Sequence, residues 1–256
     1  MPYRFATERE EYSDYASGRV FFGLPGHPAF PVRLASEVFQ RCLAIREANG
    51  TTGPCVLYDP CCGGAYHLST LAFLHWRAIA EIIGSDIDEQ VLSLAERNLA
   101  LLTVEGLNRR MAQIAEMLRA YGKASHAAAL KSAERLRYRL EQLVETHQVK
   151  THLFRADATD GQALRRNLEG KKADVVITDV PYGQRSTWQV SDTGGGPSWS
   201  PVWQVLESLR PVLSSKAVLA VAADKKQKIS HQDYQRIERF RVGKRQIVLL
   251  EPIPGE

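Results

Sequence analysis

The amino-acid sequence predicts a doubly wound α/β fold around a mostly parallel sheet, with one helical insertion between the second helix and the third strand. Three observations carry this expectation. Short apolar runs alternate with helical patterns, as in α/β folds. Several of the runs are bounded by glycine, proline or aspartate. The chain has 256 residues, 44% of them hydrophobic, which suits a single domain spanning 1–256. A chain of this size buries about three quarters of its unfolded surface, so it needs no staple.

The first 50 residues are expected to form an N-terminal helical extension. Strands are then expected at Pro54–Tyr58, Ala80–Ser85, Thr151–Arg155, Asp174–Thr178, Ala217–Ala223 and Gln246–Leu250. Short apolar runs bounded by Gly, Pro or Asp suit strands buried on both faces. Helical patterns lie at Leu68–Ile79, Glu89–Leu102, Gly161–Leu168 and Pro201–Leu209. The last should stop before Pro211, because a residue preceding proline avoids the helical region. Residues 104–148 break the alternation. They are good helix formers with apolar positions at Ile114, Met117, Leu118, Leu130, Leu136, Leu140 and Leu143, and read as a helical pair broken near Tyr121-Gly122-Lys123. The Gly- and Ser-rich stretch Val190–Ser200 reads as a loop.

Composition narrows the function classes. No apolar run approaches the ~20 residues of a membrane span, and the first residues lack the apolar stretch of a signal peptide. A cytoplasmic protein with no membrane partner, acting as a monomer, is expected. The four cysteines, Cys42, Cys55, Cys61 and Cys62, form no C-x-x-C pair, so no metal is expected. Charge is unevenly spread. Residues 51–100 carry two basic and six acidic side chains, residues 101–150 nine and five, and residues 225–245 eight and two. Basic segments of this kind attract polyanions, although solvated helix faces give the same statistics.

Four motifs carry the chemistry. Asp59-Pro60-Cys61-Cys62-Gly63-Gly64-Ala65 follows the first strand, and its glycines let backbone approach a ligand without an intervening Cβ. Asp86 ends the second strand about 25 residues later, where a carboxylate can accept from ribose hydroxyls. Either Asp86 or Asp88 could instead cap the next helix. Asp157 follows the third strand and could accept from an adenine amino group, while Asp160 fits the helix cap better. Asp179-Val180-Pro181-Tyr182 follows the fourth strand. It sets an acceptor beside an aromatic face, which is what a flipped-out base requires.

In their joint order these motifs resemble those of the class I methyltransferases, whose first-strand turn often reads Asp-Pro-x-Cys-Gly-Ser-Gly. Ala65 stands here in place of the last glycine. The tetrad at 179–182 looks like the Asn/Asp-Pro-Pro-Tyr/Phe signature of amino-nitrogen methyltransferases, with Val180 in place of the first proline. Tyr12-x-x-Tyr15-Ala16-Ser17-Gly18, Pro28-Ala29-Phe30-Pro31-Val32-Arg33-Leu34-Ala35, Tyr58-Asp59-Pro60-Cys61-Cys62-Gly63 and Thr178-Asp179-x-Pro181-Tyr182-Gly183 are similar to the avilamycin-resistance rRNA methyltransferase (AviRa) family, as is the helical insertion. The resemblance implies a Rossmann-like methyltransferase sheet and methylation of a guanine base in 23S ribosomal RNA, or in the large ribosomal subunit. It also implies resistance to orthosomycin antibiotics.

On this reading S-adenosyl-L-methionine is the cofactor, held by Asp59, Cys61, Gly63, Gly64, Asp86, Asp157 and Asp179. Asp179, Pro181 and Tyr182 act on the base: Asp179 or the backbone near Pro181 accepts an amine hydrogen, or Asp179 removes the proton of ring N1, and Tyr182 stacks. Lys225, Lys226 and Lys228, which follow the fifth strand, and Arg185 are the candidate RNA contacts. Three rivals share parts of the pattern. A nicotinamide dehydrogenase would show a cleaner G-x-G-x-x-G turn and leaves the 179–182 tetrad unexplained. A DNA adenine-N6 methyltransferase uses the same tetrad. A non-catalytic RNA-binding module would have lost the acids that are present here.

Overall fold

A computed structural model describes residues 3–8, 11–23, 29–180 and 200–254. The apolar runs form β1 (Cys55–Asp59), β2 (Ile79–Asp86), β3 (Lys150–Arg155), β4 (Ala173–Asp179), β5 (Leu213–Asp224), β6 (Tyr234–Val242) and β7 (Arg245–Pro252). They build one sheet in the order β3-β2-β1-β4-β5-β7-β6. The pairs from β3 through β5 are parallel, while β7 runs antiparallel to both β5 and β6. The sheet is therefore mostly parallel, as expected.

Alternation along the strands separates two apolar layers. Leu57, Val175, Ile177, Val218 and Ala220 join one cluster, and their neighbours Tyr58, Val176, Leu219 and Val221 the other. On the first face lie α1 (Val32–Ala48), α2 (Tyr66–His75) and α3 (Glu89–Ala100), with the insertion helices α4 (Val104–Tyr121) and α5 (Ala124–Val144). On the second lie α6 (Gly161–Leu168) and α7 (Pro201–Leu209). The chain thus winds about both faces of the sheet.

Local signals set most of the boundaries. Asp88, Thr103, Asp160 and Ser200 cap α3, α4, α6 and α7 through their side chains. Gly122, in the left-handed region at φ 59°, ends α4 at the break expected in the insertion. The helix expected at Leu68–Ile79 is shorter. It gives way to a 3-10 turn at Trp76–Ala78, and Ile79 already belongs to β2. An apolar run gives no mark where a buried helix passes into a buried strand.

The N-terminal segment differs from an extension that is helical throughout. Among the described residues ahead of α1 there is a single 3-10 turn, Ser13–Tyr15. α1 itself packs on the sheet beside α2. The buried carboxylate of Glu37 draws the chain start onto it, accepting the backbone N–H groups of Arg4 (2.7 Å), Phe5 (2.8 Å) and Ala6 (2.8 Å). These bonds outweigh the cost of burial and hold Glu37 below the usual carboxylate range.

Strand β6 has no counterpart among the expected elements. Its pairing with β7 slips between Arg236 and Glu238, and a bulge breaks the period-two alternation. Its residues instead read as part of a basic segment. Arg236, Arg239 and Arg241 are exposed on this edge strand, where charge discourages edge-to-edge pairing.

Candidate active site

The parallel strands deliver their last residues to one edge of the sheet. Asp59 pairs with Gly84, Asp86 with Arg155 and Asp179 with Ala222, and Asp224 at the end of β5 faces Arg245 at the start of β7. Asp59, Asp86, Asp157 and Asp179 therefore gather at the carboxyl edge, where ligands bind in open α/β sheets. Pro181, Tyr182 and Arg185 lie outside the described residues, as do residues 190–199 of the expected loop.

The glycine turn is built from both sides. Gly63 (φ 51°) and Ala65 (φ 51°) both adopt the left-handed region. Ala65 accepts a conformation that a glycine takes without strain, at a cost of ~1–2 kcal/mol. Burial without exposure and the Ala65 N–H bond to the Cys62 carbonyl (2.8 Å) hold it there. A Cβ at Gly63 would meet nothing within 4 Å, so the outer side of the turn is open. A Cβ at Gly64 would strike Leu94 at 2.8 Å, so that glycine serves the packing of α3.

Asn98, fully buried on α3, ties this turn down. Its amide nitrogen donates to the carbonyls of Gly64 (2.7 Å) and Phe22 (3.0 Å), and its oxygen accepts from the Phe22 N–H (2.8 Å). Sequence reading missed this residue, since an asparagine inside a helix carries no pattern of its own.

The acids divide into two groups. Asp59 was expected against the cofactor, but it is completely buried. It accepts from the Cys61 N–H (2.9 Å) and faces His67 Nε2 at 3.1 Å, supporting the turn from beneath. Asp86 is only partly buried. Its Oδ2 accepts from Gly63 N–H (2.9 Å) and its Oδ1 from Asp88 N–H (3.1 Å). Burial lifts its pKa above the ordinary carboxylate value. A carboxylate offers about four lone-pair sites, so each oxygen keeps capacity for a hydroxyl. Asp88 is the helix cap, bonding Gln90 N–H at 2.8 Å. Asp157 accepts from both the N–H (2.8 Å) and the hydroxyl (2.7 Å) of Thr159, and Asp160 caps α6. The thiol of Cys61 is pushed well up by burial and by the neighbouring Asp59 and Asp86, so it is a neutral lining group.

Asp179 differs from the others. Its Oδ2 lies 3.4 Å from Arg245 Nη2, while its buried Oδ1 has no hydrogen-bond partner among the described residues. Burial raises its pKa, with Arg245 and His67 pulling the other way and Asp59 adding to the rise. His67 sits in the first turn of α2. Burial disfavours its charge, but Asp59, Asp179 and the Ile177 carbonyl outweigh burial and raise its pKa. Phe30 packs against both residues, 5.5 Å from the Arg245 guanidinium and 5.8 Å ring to ring from His67. His67 and Arg245 were not singled out in the sequence. Arg245 lay within a counted basic segment, but only the β5–β7 pairing brings it to Asp179.

The basic segments fare differently. Lys225, Lys226 and Lys228 are exposed just past β5, with no ion pair among the described residues. The insertion commits much of its charge internally. Arg110 donates to the carbonyls of Val20 (2.9 Å) and Arg19 (3.2 Å), Arg139 to the Tyr15 hydroxyl (2.8 Å), and Arg135 pairs with Asp14. Arg137 pairs with Glu141 (2.7 Å) and Arg109 with Glu105 (3.2 Å). These arginines stitch the N-terminal segment to the hairpin and reinforce its helices. No described helix is long and apolar enough to cross a membrane.

Comparison with known proteins follows the same lines. The family described as rRNA methyltransferase AviRa matches residues 1–245. The 23S rRNA (guanine(2535)-N(1))-methyltransferase of Streptomyces viridochromogenes is 42% identical over 248 residues, covering 97% of this chain and 95% of that protein. One solved structure of the rRNA methyltransferase aviRa from Streptomyces viridochromogenes superposes with a TM-score of 0.84 at 42% identity, over 97% of this chain and 96% of the other. A second gives the same TM-score at 41% identity, over 98% and 96%. The expected fold class and family are both met, and the chain belongs to the AviRa family of rRNA methyltransferases.

Proposed function

We propose that this enzyme transfers a methyl group from S-adenosyl-L-methionine to ring N1 of a guanine in 23S ribosomal RNA. The observation that carries the reading is Asp179. It is a largely buried carboxylate at the end of β4 whose Oδ1 has no partner among the described residues. A base bearing an N–H supplies the missing donor. The nitrogen follows the printed name of the Streptomyces viridochromogenes relative.

The site residues fit the cofactor. The outer side of the Gly63 turn is open, and Asp86 beside it keeps lone pairs for a pair of ribose hydroxyls. When bound, S-adenosylmethionine supplies an electrophilic methyl on a sulfonium. Asp86 holds the ribose, Asp157 the adenine end, and Gly63, Gly64 and Cys61 line the turn. Asp59 acts through His67 and the Cys61 N–H. Asp179 accepts the N1 proton at Oδ1, which leaves the nitrogen lone pair for the methyl. Pro181 and Tyr182 follow it in the chain, Tyr182 as the stacking face. Lys225, Lys226, Lys228 and Arg185 hold phosphates without reading sequence. The described acids and cations of the site come from one chain, so a monomer suffices. A ribosomal RNA substrate fits an enzyme that works in the cytoplasm beside the ribosomes. Resistance to orthosomycin antibiotics is the role that membership of the AviRa family supports.

The test is mass mapping of 23S ribosomal RNA from cells with and without the protein, joined to a reconstituted reaction on naked RNA and on the large subunit. N1-methylguanosine appearing only with the protein supports the reading. A methyl on the exocyclic amine, or on another base, overturns it.

A further inference from the structure

We propose that Arg97 and Arg110, stacked on Phe22 beside the cofactor turn, hold a backbone phosphate of the RNA substrate. The inference rests on RNA as the substrate and not on which base nitrogen receives the methyl. Arg97 lies in the last turn of α3 and is exposed, while Arg110 is half-buried on the insertion helix α4. Their guanidinium carbons stand 3.8 Å and 4.1 Å from the centre of the Phe22 ring. The two charges therefore lie no farther apart than those two distances together. Among the described residues neither pairs with a carboxylate. Arg110 donates to the carbonyls of Val20 (2.9 Å) and Arg19 (3.2 Å) and to Gln113 Oε1 (3.3 Å). A guanidinium has five N–H donors, so these bonds fix its plane and leave donors over. Arg97 makes no hydrogen bond or ion pair among the described residues. Charge-assisted bonds of about 2.8 Å from each side let one phosphate span the gap between them.

An anion is what this arrangement lacks. Burial, and after it the charge of Arg97, push the Arg110 pKa down to about 10. Each cation is destabilised by the other, and an oxyanion between them turns that repulsion into two attractions. Arginine suits the task, because its planar fork matches the oxygens of a phosphate. The shared ring holds the guanidiniums in place before RNA arrives, which lowers the entropy lost on binding. The position is also tied to the chemistry. Asn98, next to Arg97 in α3, bonds both backbone groups of Phe22 and the Gly64 carbonyl of the cofactor turn. One side chain thus links the stacking ring to the glycine turn, so a phosphate seated on the two arginines is held in register with that turn. Phosphate contacts of this kind set the position of a protein on nucleic acid without reading sequence. The core supplies one cation and the insertion the other, which gives the inserted helix a part in placing the substrate.

The experiment measures affinity for a 23S ribosomal RNA fragment against salt in wild type, Arg97→Met and Arg97→Glu. A parallel set of fragments carries one uncharged methylphosphonate at each linkage in turn. Arg97→Met keeps an apolar chain against Phe22 and removes the charge. It should bind RNA about tenfold more weakly, and its salt slope should fall by about 0.7, the share of one phosphate. In wild type one methylphosphonate linkage should carry a penalty of similar size. In Arg97→Met that penalty should shrink several-fold, because the contact it reports is already gone. Arg97→Glu should weaken RNA binding further while Tm holds or rises, since the new carboxylate pairs with Arg110. That result separates lost recognition from lost folding. Affinity for S-adenosylmethionine by calorimetry should be alike in all three proteins. Unchanged RNA affinity and slope in Arg97→Met overturn the proposal, and so does a linkage profile identical to wild type. Lost cofactor affinity with unchanged RNA binding also overturns it, and assigns the arginines to the carboxylate of the cofactor. Failure of the underlying reading shows separately, as wild type that transfers no methyl to RNA.

Discussion

Replacing Asn98 by alanine should weaken both the fold and the cofactor site. The side chain is fully buried and makes three hydrogen bonds of 2.7, 2.8 and 3.0 Å. Its orientation is fixed by chemistry, since two carbonyls require the amide nitrogen and one N–H requires the oxygen. Alanine leaves the Gly64 carbonyl and both backbone groups of Phe22 without that partner. At about 1 kcal/mol net for each bond, the loss is about 3 kcal/mol. A domain of this size shifts its midpoint by ~2–4 °C per kcal/mol, so Tm should fall by about 6–12 °C. The Gly64 bond also fixes the turn that faces the cofactor, and a looser turn should weaken binding by about tenfold. Differential scanning calorimetry and cofactor titration on the same preparation measure both effects. A variant with wild-type Tm and wild-type affinity refutes the reasoning. A lower Tm with unchanged affinity refutes its second half.

Four further outcomes follow from the site. Asp86→Ala should lose roughly 1–3 kcal/mol of cofactor affinity in calorimetry, and unchanged affinity removes Asp86 from the ribose. Asp179→Asn should keep cofactor affinity and lower the single-turnover rate about a hundredfold or more; a normal rate places the acceptor elsewhere. Changing Lys225, Lys226 and Lys228 together to alanine should weaken RNA binding for all sequences alike and flatten its salt dependence, whereas superposable salt plots make these lysines ordinary surface charge. The raised pKa of His67 predicts a pH dependence of stability: its charge pairing with Asp59 contributes fully below the unfolded histidine value of ~6.5 and is lost as pH rises through the higher folded value. Chemical denaturation from neutral to alkaline pH should show this loss in wild type and a flatter profile in His67→Gln, and parallel profiles exclude the pairing.

Much of this protein was legible in the residues alone. Apolar runs closed by Asp or Gly marked the strands, because a buried parallel strand has no polar face to show. The break at Tyr121-Gly122-Lys123 marked the insertion's hairpin, since Gly122 holds a positive φ there. Asp86 and Asp179 fell at the strand ends because a parallel sheet delivers all its carboxyl ends to one edge. Tertiary structure decided what depends on distant pairs. Strand β6 escaped notice because its bulge breaks the alternation. The insertion's Arg110, Arg135 and Arg139 found partners about a hundred residues away, which charge counting cannot anticipate. His67 and Arg245 reached Asp179 only through the turn into α2 and the reversed direction of β7. Asp59 proved fully buried, bonded to the Cys61 N–H and facing His67. A motif states which residue stands at a strand's end, whereas the way its side chain turns is set by neighbours that the chain brings in from elsewhere.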